Sequence, residues 1–504
     1  LAGNCTFKIE TGVFHLPKYV MTDEESKKFE INEDLFFDLI MQGFDKKVRG
    51  KVKDKDAYWI RIDKESKVLV EGNLVDYFLI LADVINWCHR EDILVGVGRG
   101  SAAGSMCAYL LNICELDPIK YDLIFERFTN EARLKNGEFG DIDSDFESSR
   151  RDDVKHYMEQ RYGIDYFASI ATYGNFKNKS ALKDLAREMN ISYGDVNFIS
   201  SIISHEAAEG ELIELFKNSL VEPKLKAFIN EHSNLINRMH LILGQPKNSS
   251  VHACATVIVP TEHDIYSSLP VKKLDGLLVT EWEGKEVEKA GFLKEDILSI
   301  LQLDKFRMII DLIKKNHGVD IDYTKIDVED KNVYETLFHQ GYTEDVFQFG
   351  TEGLKKYCKY LKPDRFEELI VANAIYRPGA MLSGAHLEYA KIKKGEVEAT
   401  FDYLLEDVTK DTLGLYIFQE TVMKAFQVIT DSTLEEADMF RKIITKLSVT
   451  SAHTDANYEK YRSLFVNTYI KKGCDSEVAE DVWQKLIAHS SYSFNRSHAA
   501  CYAY

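Results

Sequence analysis

Apolar positions along the chain change period several times, and each change marks an element. Residues 1 to 70 are mixed and strongly charged, with KKVRGKVKDKDAYWIRIDKESK as a solvated stretch, so they read as a connecting region with weak element signals. From Asp76 the pattern sharpens. DYFLILADVINWCHRED repeats at helical spacing, ILV at 93 to 95 is a short buried strand, and GVGRGSAAGS is a glycine-rich turn leading into the helix SMCAYLLNI. GDIDSDF at 140 to 146 alternates as a strand, and SRRDDVKHYMEQRYG follows as a helix with a glycine stop. Residues 176 to 245 are polar and helical before SVHACATVIVP returns to the vocabulary of a buried sheet. GFLKEDIL at 291 to 298 is another strand, and after Ile300 the pattern is almost wholly helical, from LQLDKFRMIIDLIKKNHG to AEDVWQKLIAHSSY. The predicted architecture is mainly helical α+β: a sheet-containing core, a helical insertion, and a large helical domain.

Composition changes this picture only in part. At 504 residues and 45% hydrophobic the chain exceeds what a single core usually supports, so more than one domain is expected. No apolar run reaches the roughly 18 residues of a membrane span and the start lacks signal-peptide regions, which makes the cytoplasm the expected location. Eight cysteines without a CxxC pair point to free thiols, with no structural zinc. The opening at Leu1 and the close on SHAACYAY suggest a piece of a longer protein. The net charge of −19 argues against nucleic acid as a partner, because neutralised phosphates supply most of such affinity; local cations must therefore carry any DNA contact.

Candidate chemistry begins with Asp141, Asp143 and Asp145. A strand sends alternate residues to one face about 6.6 Å apart, and acids so placed ask for a cation or for solvent. An exposed acidic strand or a calcium site reads this pattern as well as catalysis does. In GFLKEDIL, Lys294 and Asp296 share a face. If that strand lies beside the first, Asp296 completes a carboxylate cluster able to hold two ions about 3.5–4 Å apart for an in-line phosphoryl displacement. Such oxygen ligands select magnesium or manganese over zinc.

The glycine loop matches neither a Walker loop nor GxGxxG. Gly98 and Gly100 nevertheless permit close backbone approach, Ser101 can cap the following helix, and free N–H groups at that helix start would face a phosphate; a surface turn is the plain alternative. In KNKSALKDLAR, Lys179, Lys183 and Arg187 line one helical face, as phosphate contacts or as a solvated basic face. Arg127 in FERF, Arg377 in YRPGAM, and Arg441 with Lys442 are cations near apolar sequence that read equally as salt-bridge partners. His498 in FNRSHAA reads as a packed helical histidine.

Taken in order, DYFLI, GVGRGSAAGS, YDLIFERF, GDIDSDF with RRD, ATYGNF with KSALKDLAR, SVHACATVIVP, VEKAGFLKEDIL, VFQFGTEGLKKY, YRPGAM, FQETVM, EADMFRK and FNRSHAA resemble the catalytic core of the C-family bacterial replicative polymerases, the alpha subunits of DNA polymerase III. The resemblance covers nearly the whole chain. It implies a polymerase-beta-like nucleotidyltransferase palm with an inserted helical thumb and a large helical fingers domain. The divisions expected are 1–70 leading into the palm, 71–175 palm, 176–248 thumb, 249–300 palm again, and 301–504 fingers.

The family's metal ligands fall on Asp141 and Asp143, with its third catalytic carboxylate on Asp296. The triphosphate loop falls on Gly100 and Ser101, the motif cations on Arg127, Lys294 and Arg377, and the sugar-sensing histidine on His498. The implied cofactors are two Mg2+ ions, with Mn2+ as a substitute. The implied partners are primer-template DNA, held in part by Lys179, Lys183 and Arg187, deoxynucleoside triphosphates, and a sliding clamp and other replisome proteins reached through regions beyond this chain.

Three departures stand out. Val97 and Gly140 replace usual prolines and Ser144 an apolar residue, which would loosen the backbone near the metals without removing a ligand. A divergent virus-encoded relative would fit the absence of the family's outer domains, and so would a fragment boundary. The implied activity is template-directed DNA synthesis; a template-independent nucleotidyltransferase and a DNA-binding fragment inactive without other regions are the alternatives.

Overall fold

The computed structural model describes residues 14–135, 137–202, 227–228, 230–262, 264–450, 456–490 and 492–504. They group into two compact units, one holding Asp165–Lys294 and the other Gly12–Ile164 with Glu295–Tyr504. The fold is α+β and mainly helical. No described helix is long and apolar enough to cross a membrane, and the described cysteines are free thiols.

The second unit opens with three 16-residue helices, Asn32–Lys47, Asp56–Glu71 and Val75–Arg90. The first two lie where only weak element signals were expected. Phe36, Ile40 and Phe44 are four residues apart and buried on the first, and Tyr58, Ile62 and Leu69 are buried on the second. That is helical periodicity diluted by the charged residues of the opposite face. Glu65, fully buried on the second helix, accepts hydrogen bonds from Ser105 Oγ at 2.8 Å and Cys107 N at 3.1 Å, and it pairs with Arg61 Nε at 2.5 Å. Arg61 also donates to the Gly104 carbonyl at 2.6 Å. These contacts tie the far end of the glycine loop to a helix.

Strand β1, Ser144–Glu147, runs parallel to β6, Lys294–Ile300, with Ser144 opposite Ile297 and Phe146 opposite Ser299. On its other side Val95 makes a single isolated antiparallel bridge to Phe146, so of the buried strand expected at 93 to 95 only this one bridged position forms. The strand expected over GDIDSDF is shorter than its alternation suggested. Asp141 and Asp143 precede it, because the Ile142 amide donates to the Tyr77 hydroxyl at 3.0 Å and not to a neighbouring strand. Helix Arg151–Tyr162 ends at Gly163 with φ 95°, the expected stop. Beyond Ile300 the described residues are helical apart from their connections. Their core centres on Phe426, Phe440, Phe465 and Trp483, with the first two rings stacked 4.1 Å apart. The last helix, Arg496–Ala503, is capped by the Asn495 side chain, which accepts from His498 N at 2.7 Å.

In the other unit, β2 (Phe167–Asn175) pairs antiparallel with β3 (Pro246–Ile258) and parallel with β5 (Leu277–Glu283), and β4 (Val271–Leu274) forms a hairpin with β5. Asp275 and Gly276, at φ 51° and 83°, make that hairpin's two-residue turn. Between β2 and β3 lies the helical insertion: helices Asn178–Glu188, Tyr193–Ile202 and Ser233–Ile242 share a small core that includes Leu182, Ile199, Leu235 and Met239. Residues 203–226 of the insertion lie outside the described residues.

Candidate active site

The approach to β1 is pinned at two points. The Ile142 amide is held by Tyr77. Gly140 packs so tightly on Phe128 that a Cβ would fall 2.5 Å from the Phe128 ring and 2.7 Å from its carbonyl oxygen. The glycine therefore fills a position with no room for a side chain, which corrects the expectation that it loosens the backbone near the carboxylates.

Between and beyond these pins the alternate acids find three environments: Asp141 is exposed, Asp143 is about a third exposed, and Asp145 is buried. The parallel pairing begins at Ser144 and Ile297, so the residues that immediately precede it on the two segments are Asp143 and the half-buried Asp296. Glu295, next to it, is buried. Burial first, then the charges of Glu295, Asp141 and Asp143, push the Tyr77 phenol well above its ordinary range and keep it a neutral donor or acceptor.

Among the described residues no three or more His, Cys, Asp or Glu side chains are gathered to hold a metal ion. The donor chemistry nonetheless fits a hard divalent cation. Asp141 and Asp143 lead into β1 and Asp296 lies on the neighbouring β6, and a guanidinium, Arg99, lies within ion-pair range of Asp143 and Asp145. Arg99 Nη1 donates to Asp145 Oδ1 at 3.0 Å and to the Tyr502 hydroxyl at 2.6 Å, and its Nε stands 3.8 Å from Asp143 Oδ2. Burial raises the Asp145 carboxyl above its ordinary value, and Arg99 and Tyr502 oppose that shift.

The glycine loop departs from its expected chemistry. Gly98 at φ 137° faces the Cys501 and Cys114 sulfurs, each within 3.2 Å of where a Cβ would stand. Gly100 at φ 64° looks onto open space. The Gly100 amide is not free, since it donates to His498 Nδ1 at 3.2 Å. Ser101 caps nothing. The cap is Ser105, whose hydroxyl accepts from Ala108 N at 3.2 Å, and a 3-10 turn at Ala102–Gly104 separates Ser101 from the helix. That helix, Met106–Leu110, has only five residues and so little dipole to offer a phosphate.

His498 stands between the loop and the helical core. Burial, then the charges of Arg99 and Arg377, lower its pKa to about 4, so it is neutral at pH 7 with its proton on Nε2. Arg377 lies over the Phe494 ring at 3.6 Å and donates to the Ala374 carbonyl at 3.0 Å. Arg127 donates to Gln419 Oε1 at 2.8 Å; burial and then the Arg441 charge pull its pKa down to about 10, while Glu420 and Asp438 oppose that shift. Arg441 is itself bonded to Asp438 at 2.8 Å and Lys442 to Glu138, as the salt-bridge reading anticipated.

Gly100, His498 and Arg377 are thus brought together, with Asp143 and Arg99 close by. Lys294 pairs with Glu288 at 3.9 Å, and Lys179, Lys183 and Arg187 lie on helix Asn178–Glu188 of the other unit. Arg99, Glu295, Tyr77 and Tyr502 escaped the sequence reading, and Asp145, named there as one of three alternate acids, was given no role of its own. Asp145 carried the same alternation as its neighbours, and Arg99 stood inside the loop already singled out.

Fold and site together define an α+β protein that sets carboxylates on and beside parallel strands, next to a glycine loop and half-buried cations. Residues 34–299 match the bacterial DNA polymerase III alpha NTPase domain, and residues 302–472 match the bacterial DNA polymerase III alpha subunit finger domain. The chain is 33% identical to the DNA polymerase III subunit alpha of Aquifex aeolicus (strain VF5), over 98% of its own length and 43% of that relative's. It is 31% identical to the DNA polymerase III subunit alpha of Staphylococcus aureus (strain MRSA252), over 100% of its length and 45% of that relative's. The chain belongs to the bacterial DNA polymerase III alpha family and spans a little under half the length of these relatives.

Proposed function

We propose that the chain carries out template-directed DNA synthesis, transferring a nucleotidyl group from a deoxynucleoside triphosphate to a primer 3′-hydroxyl. The observation that supports this reading is the parallel pairing of β1 with β6 from Ser144 and Ile297 onward, which brings together the segments carrying Asp143 and Asp296, in a chain of this family. Asp141, Asp143 and Asp296 would hold divalent magnesium or manganese, which when bound activates the attacking hydroxyl and stabilises the charge of the pyrophosphate leaving group.

The remaining residues orient the substrates. Arg127, Arg377 and Lys294 offer positive charge to the triphosphate, and Ser101 a hydroxyl. Gly100 keeps the loop free of a side chain at its open face. His498, neutral and held by the Gly100 amide, presents Nε2–H as a donor to the sugar. The unit holding Asp165–Lys294 would supply the thumb and part of the palm, with Lys179, Lys183 and Arg187 on duplex phosphates, and the helical region after Ile300 the fingers. Clamp and replisome contacts would come from parts of the longer relatives that this chain does not span.

Asp143→Asn tests the reading. Primer extension on a primed template should fall more than about 100-fold, the upper end of what losing even an outer-shell partner costs a metal site, while duplex binding stays within about twofold. Substantial residual synthesis removes Asp143 from the mechanism. Addition of all four nucleotides regardless of template would indicate a template-independent transferase.

A further inference from the structure

The glycine loop is tied at both ends and unconstrained by its own backbone in the middle. The Val97 carbonyl accepts from Glu115 N at 2.8 Å, and the Ser101 carbonyl from Gly104 N at 2.9 Å. Between these ties Gly98 and Gly100, at φ 137° and 64°, flank Arg99, so the backbone alone favours no single course there. One face of the last helix supplies what the backbone lacks. His498, Cys501 and Tyr502, spaced i, i+3 and i+4 on Arg496–Ala503, meet the consecutive residues 98 to 100. His498 Nδ1 accepts from Gly100 N at 3.2 Å, the Cys501 sulfur comes within 3.1 Å of where a Gly98 Cβ would stand, and the Tyr502 hydroxyl accepts from Arg99 Nη1 at 2.6 Å. The same Arg99 nitrogen donates to Asp145 Oδ1 at 3.0 Å, and the Tyr502 hydroxyl donates to Asp145 Oδ2 at 3.3 Å. The helix is held in turn by Arg496, whose two terminal nitrogens each stand 2.9 Å from a Glu367 oxygen.

We propose that Arg99 is a positioning residue: clamped between Asp145 and Tyr502, it fixes the course of the glycine loop and so keeps the open face of Gly100 presented to a triphosphate. The inference rests on the proposed placement of the triphosphate at that loop. A guanidinium suits the part, because Nη1 carries two N–H bonds fixed in one plane, one for each acceptor, whereas a lysine ammonium is a compact point charge. Both acceptors are themselves held. Asp145 is buried and its carbonyl accepts from Gly96 N at 2.7 Å, while the Tyr502 ring packs edge-on against Phe347 and 4.2 Å from the His498 ring. Without the clamp the two glycines leave the loop many courses, and a nucleotide must order it on binding, which weakens the affinity.

Steady-state primer extension by the 504-residue chain, with one next nucleotide on a primed template, reads KM and kcat separately. Arg99→Met should raise the nucleotide KM by about tenfold with kcat within about twofold, since an ordering cost met on binding falls equally on ground and transition states. Tyr502→Phe keeps every charge, the Arg99–Asp143 pair at 3.8 Å included, and should raise KM by about threefold. The double variant should stay within about twofold of Arg99→Met, because both changes remove one contact. Arg99→Lys, which keeps the charge and loses the planar nitrogen, should leave KM raised. A merely structural role would lower the fraction of active protein, and so kcat at an unchanged KM. Without nucleotide, hydrogen exchange at the amides of residues 98 to 101 should quicken by about tenfold in Arg99→Met.

Unchanged exchange in Arg99→Met overturns the inference, and so does a raised KM in Arg99→Met alone, with Tyr502→Phe at wild type or Arg99→Lys restored to it, which would make Arg99 a direct contact of the triphosphate. Gly100→Val separates the two levels. If it raises KM while Arg99→Met and Tyr502→Phe do not, the positioning role alone fails; if all three leave KM unchanged, or the wild-type chain extends no primer, the reading beneath it fails and this one with it. Tyr502→Phe carries the test if Arg99→Met, which strands the buried Asp145, proves unstable on thermal unfolding.

Discussion

Replacing Lys179, Lys183 and Arg187 together by alanine should flatten the salt dependence of duplex binding by a calculable amount. The helix Asn178–Glu188 repeats these cations every fourth residue, so they span about 12 Å of its axis, and duplex DNA carries roughly seven phosphates over that length. Three contacts are therefore geometrically available. At about 0.9 per neutralised phosphate they account for roughly 2.7 units in the slope of log K against log salt.

The structure trims this figure at one point. Arg187 lies 3.5 Å from Asp184, which also takes Lys247 at 2.5 Å. The Arg187 side chain is 75% exposed, so its pairing is a surface ion pair of about 0–1 kcal/mol that a phosphate can replace. The triple variant should thus lose between about 2 and 3 units of slope, whereas Asp184→Asn, which releases Arg187 and Lys247, should steepen it by up to about 1. Fluorescence anisotropy of a labelled primer-template between about 50 and 200 mM salt reads both changes. A triple variant whose slope stays within about 0.5 unit of wild type would refute the assignment of this helix to DNA, whatever happens to affinity at a single salt concentration.

Three further outcomes are expected. Gly100→Val should raise the apparent KM for nucleotide, with a stability loss of about 1–2 kcal/mol, because the left-handed φ of 64° strains any L side chain although the space around it is open; an unchanged KM would remove the loop from nucleotide binding. Gly140→Ala should cost about 1–3 kcal/mol in denaturant unfolding, and Phe128→Leu should recover only part of that, since the clash with the Phe128 carbonyl remains. Stability should fall as pH drops from 6.5 toward 4. His498 and His489 are both depressed to about 4, chiefly by burial, so the unfolded chain binds more protons in that window, at up to about 1.4 kcal/mol per pH unit for each; His489→Gln should reduce the slope in pH-dependent unfolding, and an unaltered slope would show that His489 is not buried neutral.

Legibility followed the range of the interactions. The helix Val75–Arg90, the glycine stop at Gly163 and strands β3 and β6 were readable because their signals are local and sustained. The helices Asn32–Lys47 and Asp56–Glu71 were hidden by charge on their outer faces, although Phe36, Ile40 and Phe44 kept the helical period. The Asp275–Gly276 hairpin turn carried a signal that went unread. Ser101 and Ser105 stand four residues apart in one loop, and only the 3-10 turn between them decides which one caps. The Arg99–Tyr502 contact joins residues 403 apart, and no local pattern could have announced it.

A single hydroxyl closes one edge of β1's neighbourhood. Tyr323 donates to the Val95 carbonyl at 2.8 Å and accepts from the Val95 amide at 3.2 Å, so it stands in for the next strand from 228 residues away. During synthesis at roughly 5–20 residues per second, Val95 leaves the ribosome about 11–45 seconds before the side chain that covers it. For that interval the nascent chain exposes a backbone edge able to pair with any passing strand, and the Gly100 amide waits longer still for His498, 398 residues on. The order of translation therefore sets a window of vulnerability to misassembly, one that a slower ribosome widens and a holdase chaperone would shield.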